Sequence, residues 1–377
     1  MPLNSEVLQW KYRNFLINKN SNFNKNEILK ILSSDDIDEA YKVISNWDNY
    51  SPTPLISLNK LNNKLKLNKI FYKDESKRFH LKSFKALGGA YAVEKIIKGN
   101  DKKVISTATA GNHGRSVAWG SQKNNLECKI FISKFVSESR AEVMRSFGAE
   151  VIRINGNYDD SLNECIKQSK ENNWQIVQDV AWKNYELVPK LTMAGYSVMM
   201  KEISDQIKND KISHVILQAG VGGMAAAMIA GIARYLNHIP EIIIVEPENA
   251  ACVLESIKTG KIEKIEIKKE SIMGGMSCGE PSLIPWKILK NAVNSCVTVS
   301  DDYVSKTVKY LANCELSDEK VIGGECSTPG IISLIGLCND EKAREKIKLN
   351  EDSNVLVFGC EGDADENLYQ ELLNKID

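Results

Sequence analysis

An α/β fold of two domains, each with a central, mostly parallel sheet flanked by helices, is predicted by three observations. The chain has 377 residues, more than one simple domain usually holds. From Lys102 onward, short apolar runs alternate with helical stretches, the pattern of βαβ units around a parallel sheet. Two of the expected strands end in glycine-bearing turns that open a helix, at Thr109-Ala110-Gly111-Asn112-His113-Gly114 and at Gln218-Ala219-Gly220-Val221-Gly222-Gly223-Met224. In open α/β sheets, ligands bind at such strand ends.

Taken in order, residues up to about 49 read as helical and polar, with 10–17 (WKYRNFLI) as their apolar face. Ser51-Pro52-Thr53-Pro54-Leu55 leads into an extended segment, because each proline biases the residue before it away from helix. Residues 69–73 read as a strand and 86–97 as a helix. Further strands are expected at 103–106, 129–132, 150–154 and 175–177, with helices at 114–123, 140–147 and 159–172. A longer helix at 191–207 is followed by strands at 215–218 and 242–245, a helical region from 329, and a last strand at 354–358. The expected division is a large domain from 1–92 and 203–377, with a smaller α/β domain, 93–202, inserted in it.

Composition excludes several functions. Lys+Arg and Asp+Glu are both 49, so no basic surplus points to nucleic acid and no acidic tail to a disordered partner arm. The nine cysteines show no CxxC spacing, which argues against a zinc site and for a reducing cytoplasm. The question whether Cys252 and Cys278 pair stays open. The first residues lack an apolar core and a small-residue cleavage site, so no secretory signal is expected. Residues 215–236 are almost wholly apolar, yet Gln218, the glycine break and Arg234 favour a buried strand, a turn and a packed helix over a membrane span.

The chemistry centres on Lys85, which stands between Phe84 and the small run Ala86-Leu87-Gly88-Gly89-Ala90. An amine in that setting is partly desolvated, which lowers its pKa and frees it to attack a carbonyl. At a helix start it also stands beside N–H groups that attract an anion. Alone, Lys85 is equally well read as a buried lysine stem.

The segment around Ser83-Phe84-Lys85 resembles the Schiff-base lysine segment of the fold-type II pyridoxal-phosphate enzymes, and within them it is most similar to the diaminopropionate ammonia-lyases. The likeness runs from the Pro52-Thr53-Pro54-Leu55 element to the Glu361-Gly362-Asp363 turn in unbroken motif order. It implies pyridoxal 5'-phosphate as cofactor, held by Lys85 with Phe84 beside it, a small amino-acid substrate, and a homodimer. The resemblance implies that Asn112 bonds the cofactor's phenolic oxygen, while the backbone of Thr109, Ala110, Gly111 and His113 grips the substrate carboxylate. Read without it, the same loop is an ordinary strand-to-helix turn. Gly220, Val221, Gly222, Gly223 and Met224 form a cup for the phosphate, since successive N–H groups at a positive helix end cradle anions. The alternative, a dinucleotide fold with Glu246 as its acid, leaves Lys85 and the Asn112 loop without a purpose. Asp179, in a Gln178-Asp179-Val180-Ala181-Trp182 element, is implied to bind the β-ammonium of a diamino acid. Ser277, in the run Gly274 to Pro281, is implied to line the substrate side, and Glu325 to lie near the cofactor ring. Cys360 is the candidate neutral partner of the pyridine nitrogen, the alternative being a core cysteine.

The implied reaction is elimination from L-2,3-diaminopropionate to pyruvate and ammonia, with Lys85 moving the Cα proton. The departure is Ala110, where the lyases read aspartate in TDGNHG. That carboxylate serves the D-enantiomer from the face opposite the lysine, so loss of D-turnover is expected. A GGECSTPG run in place of SGESGA is a second departure. Two other readings stay open: a pyridoxal-phosphate β-eliminase or β-replacement enzyme acting on serine, threonine or a modified diamino acid, and a non-catalytic binder of the cofactor.

Overall fold

The computed structural model describes residues 5–99 and 101–375. Among these, eleven strands form two sheets: β1 (Phe15–Ile17), β2 (Leu55–Ser57), β3 (Lys69–Asp74), β4 (Val104–Ala108), β5 (Glu127–Ser133), β6 (Glu150–Ile154), β7 (Gln175–Ile176), β8 (His214–Gln218), β9 (Glu241–Pro247), β10 (Ser295–Val299) and β11 (Asn354–Gly359). The larger sheet has the order β1-β10-β9-β8-β11-β3-β2 and the smaller β6-β5-β4-β7. Inner neighbours are parallel; β1 and β2 close the edges of the larger sheet antiparallel. Both β8 and β11 are buried along their whole length, as parallel strands covered by helices on both faces must be.

The expected alternation is present, with boundaries shifted by a few residues. Two expectations fail, and one strand was not foreseen. Residues 10–17 are not a helix face: β1 pairs with β10, and Trp10 stacks on Tyr303 and Tyr310 at 4.8 and 5.9 Å between ring centroids. Strand β10 itself was not foreseen, because its five residues SCVTV carry too little apolar pattern to stand out from a loop. The long helix expected at 191–207 is two helices, Leu187–Tyr196 and Val198–Gln206, jointed at Ser197, whose hydroxyl donates to the Ala194 carbonyl at 2.6 Å. No helix among the described residues is long and apolar enough to cross a membrane. Helix Gly223–Tyr235 instead packs inside the core. Cys252 and Cys278 are free thiols.

The turn between β3 and Lys85 is strained and braced. Phe79, His80 and Lys82 have φ of 49°, 59° and 57°. Left-handed backbone at non-glycine residues costs about 1–3 kcal/mol each. Bracing comes from a buried ion network with two charges of each sign. Arg78 donates to Glu75 at 2.8 Å and to Glu202 at 2.7 Å, and Lys73 pairs with Glu202 at 2.6 Å. Thr53 ties the proline segment to Glu75 at 2.5 Å. Burial opposes ionisation of Glu202, but Arg78 and Lys73 outweigh it and lower its pKa to about 2. That stabilisation is complete above the ordinary carboxylate value and lost as pH falls through the folded one. Arg78→Met leaves two carboxylates buried with one cation and is expected to cost about 3–5 kcal/mol in urea unfolding. A loss under about 1 kcal/mol would show that the turn does not depend on the network.

Candidate active site

The C-terminal ends of β8 and β11 in one sheet and the segments that follow β4 and β7 in the other, with Asn112 and Asp179, line a common cleft. Lys85 opens the helix Lys85–Ile97 and lines this cleft. Its position is pinned to the end of β11, where the Phe84 N–H donates to the Cys360 carbonyl at 3.0 Å. Phe84, Asn112, Asp179, Cys360 and the run Gly220–Met224 line the same cleft.

Lys85 Nζ donates to Asp179 Oδ2 at 2.6 Å. This corrects the expectation of a depressed lysine. Burial does favour the neutral amine, but the Asp179 carboxylate outweighs it and holds Lys85 above its ordinary value. Burial likewise works against the Asp179 charge, and His113 and Lys85 overcome it, keeping Asp179 well below the usual carboxylate range. The loop carrying Asp179 is fastened to β4 through Gln178. The Gln178 Oε1 accepts from Thr107 Oγ1 (2.8 Å) and the Ala108 N–H (3.1 Å), while its Nε2 donates to the Ala108 carbonyl at 2.8 Å. His113 bonds the Val177 carbonyl through Nε2 at 2.9 Å and turns Nδ1 toward Asp179 at 3.6 Å. A carbonyl partner requires a proton on Nε2. His113 therefore lies behind Asp179 and outside the cleft lining.

The Thr109–His113 loop is only partly open to an anion. Thr109 Oγ1 accepts from the Gly111 and Gly114 N–H groups at 3.0 and 3.1 Å, which engages the Gly111 amide. The N–H groups of Asn112 and His113, first in the helix Asn112–Lys123, have no intrahelical acceptor and remain suited to a carboxylate. Ala110 is exposed, and its carbonyl accepts from Arg140 at 3.2 Å. The Asn112 side chain donates to Glu361 Oε2 at 2.5 Å, leaving its second amide proton and its oxygen for a ligand.

Glu361 is a second acid on the cleft wall, with Asp179, and the sequence reading assigned it no role beyond the turn that ends the motif series. Its position directly after Cys360, one residue past a strand end, was the available signal. Glu325 lies behind it, near Arg140 at 3.5 Å, and is not part of the lining. Burial, then the Glu361 charge, pushes the Glu325 carboxyl up to about 8. Ser277 is also off the wall, its hydroxyl accepting the Ser271 N–H at 3.3 Å. Cys360 is a buried thiol whose Sγ contacts Met224 Sδ at 3.5 Å. Burial pushes its pKa well above the ordinary value, so it stands in the cleft as a neutral group. Tyr196 and Gln218 also line the cleft and were not foreseen, since a tyrosine inside a helix and a glutamine ending a strand carry no distinctive pattern.

At the cup, a Cβ on Gly220 would lie 2.9 Å from Cys278 Sγ, and Gly222 has φ of 93°. Both positions demand glycine, which lets the N–H groups that open helix Gly223–Tyr235 face the cleft.

A family model for pyridoxal-phosphate dependent enzymes matches residues 47–361, and the chain belongs to that family. Diaminopropionate ammonia-lyases are among its relatives within the family. It is 34% identical to the one from Escherichia coli (strain K12), over 86% of this chain and 87% of that one. It is 32% identical to the one from Salmonella typhimurium, over 86% and 88%. The crystal structure of the Escherichia coli lyase in complex with an aminoacrylate–pyridoxal-phosphate azomethine intermediate superposes with a TM-score of 0.89, at 32% identity, over 97% of this chain and 98% of that one. Pyridoxal 5'-phosphate is the cofactor of this chain, and the residues present fit it. They offer an amine, an anion cup, a neutral thiol, and two buried polar atoms on the cleft wall without a partner among the described residues, Tyr196 Oη and Gln218 Oε1.

Proposed function

We propose that the chain is an ammonia-lyase that converts L-2,3-diaminopropionate to pyruvate and ammonia, and that it does not turn over the D-isomer. The observation that carries this reading is the Lys85–Asp179 pair at 2.6 Å on the wall of the cleft. Lys85 would hold the cofactor that takes up the α-amino group, and the Asp179 carboxylate beside it suits a second, cationic amino group at Cβ.

Lys85 and the cup Gly220–Met224 would hold the cofactor, Asn112 would contact its ring oxygen and Cys360 its ring nitrogen. The cofactor, when bound, supplies the electron sink for the carbanion at Cα. Lys85 then serves as the base at Cα. Asp179, ionised throughout the neutral range, accepts hydrogen bonds from the β-ammonium and keeps it protonated, so that it departs as ammonia. The N–H groups of Asn112 and His113 orient the carboxylate. Ala110 carries no group that moves a proton, so the face opposite Lys85 lacks a base at that position. The domain boundaries after residues 92 and 202, a homodimer and a cytoplasmic setting belong to the same proposal. The last is supported by nine cysteines, all free. Sedimentation of the purified protein tests the dimer.

The test is pyruvate release from L- and D-diaminopropionate, L-serine and L-threonine. The L-diamine alone is expected to react, and Ala110→Asp is expected to bring in the D-isomer by about 10²-fold or more, the usual worth of a placed base. Parent turnover of the D-isomer near the L-rate would remove the role given to Ala110. Faster reaction of serine or threonine would make the chain a hydroxyamino-acid eliminase.

A further inference from the structure

Tyr196 closes the helix Leu187–Tyr196 and is 2% exposed, yet its hydroxyl has no hydrogen-bond partner among the described residues. A buried hydroxyl left unpaired costs free energy, and such atoms in native proteins call for an explanation. The surroundings of the ring supply one. Its edge meets the Phe84 ring, with centroids 4.8 Å apart. A Cβ on Gly88 would lie 2.3 Å from Tyr196 Cε1, and a Cβ on Gly223 would lie 3.9 Å from Cε2. The phenol thus stands between two helices, touching one within a turn of its start at Lys85 and the other at its first residue, Gly223. Oη lies beyond both ε carbons, and Tyr196 lines the cleft together with Lys85, Asp179 and Gly220–Gly223. Two positive helix ends and an unpaired O–H donor converge there, which is the chemistry of a phosphate monoester site.

We propose that Tyr196 is a cofactor-binding residue, its hydroxyl donating to the phosphate of pyridoxal 5'-phosphate alongside the N–H groups of the glycine cup. The glycine at position 88 belongs to the same device, because any side chain there would displace the ring. Tyr196 thereby adds a side-chain donor to a site otherwise made of backbone. The substrate carboxylate is served elsewhere, at the start of helix Asn112–Lys123. The proposal rests on pyridoxal 5'-phosphate being the cofactor.

The experiment compares parent and Tyr196→Phe, both freed of cofactor, in titrations with pyridoxal 5'-phosphate and with pyridoxal, which lacks the phosphate. Tyr196→Phe is expected to weaken pyridoxal 5'-phosphate roughly ten- to hundredfold, the worth of a hydrogen bond to a charged group, and to leave pyridoxal unchanged. The cofactor-free variant is expected to melt at the parent temperature or above it, since the hydroxyl bonds nothing there. Equal weakening of both ligands, no weakening of either, or a lower cofactor-free Tm would each overturn the assignment. A parent that binds no pyridoxal 5'-phosphate would remove the cofactor and the assignment together. A parent that binds it while the variant binds as tightly would remove the assignment alone.

Discussion

Lys85→Ala is expected to abolish pyruvate formation from L-diaminopropionate, a loss on the order of 10⁴-fold or more, because one side chain both anchors the cofactor and moves the Cα proton. Two readings accompany the rate. The visible absorbance of the bound cofactor, expected at about 410–420 nm in the parent, should be absent from the variant. The fold should survive, because Lys85 lies at a helix start where alanine is tolerated and, among the described residues, its Nζ meets only Asp179 by hydrogen bond. A variant that keeps that band would show that another amine holds the cofactor. The opposed pKa shifts add a pH signature to the cofactor-free parent. The depressed Asp179 stabilises the fold fully above its unfolded value of about 3.9, and this is lost as pH falls through the folded value. The raised Lys85 stabilises fully below its unfolded value of about 10.4, and this is lost as pH rises through the folded one. Lys85→Ala should erase the alkaline limb.

Asp179→Asn is expected to lower kcat for L-diaminopropionate by about 10²–10⁴-fold, the usual range for a positioned acid–base group. The amide keeps the size of the side chain and one acceptor, but it cannot hold the β-nitrogen as an ammonium ion. Discrimination lies in the choice of substrate. If Asp179 acts on the β-amine, any slow turnover of L-serine should fall far less than that of the diamine. An equal fall for both would mean that Asp179 acts only by placing Lys85, which it contacts at 2.6 Å. Turnover of the diamine within threefold of the parent would dismiss Asp179 from the reaction altogether.

Much of the cleft was legible along the chain because its parts are local. Lys85, the Asn112 loop, the Gly220–Gly223 cup and Cys360 are each a strand end or helix start with a compact motif, and the sheets bring them to one cleft. Such sites are written where backbone geometry changes, and glycine, asparagine and small residues mark those changes. Glu361 was missed for the complementary reason. It matters through partners 249 and 35 positions away, Asn112 and Cys326, which no local pattern announces. Glu325 carries the more conspicuous motif and lies behind it. Strand β10 and the joint at Ser197 were missed because a short, wholly buried five-residue strand and a one-residue slip between helices leave almost no periodic trace.

The sequence by itself determined the α/β alternation, the family and its cofactor, through short motifs whose meaning does not depend on distant neighbours. Only the tertiary structure decided the charge state of the central amine. Composition around Lys85 argued for a depressed pKa, and the loop holding Asp179, 94 residues further on, reverses it. The physical reason is range. Burial is written in the flanking residues, but a single buried counter-ion at hydrogen-bond distance outweighs it, and which counter-ion arrives is settled only when the two sheets close on a common cleft.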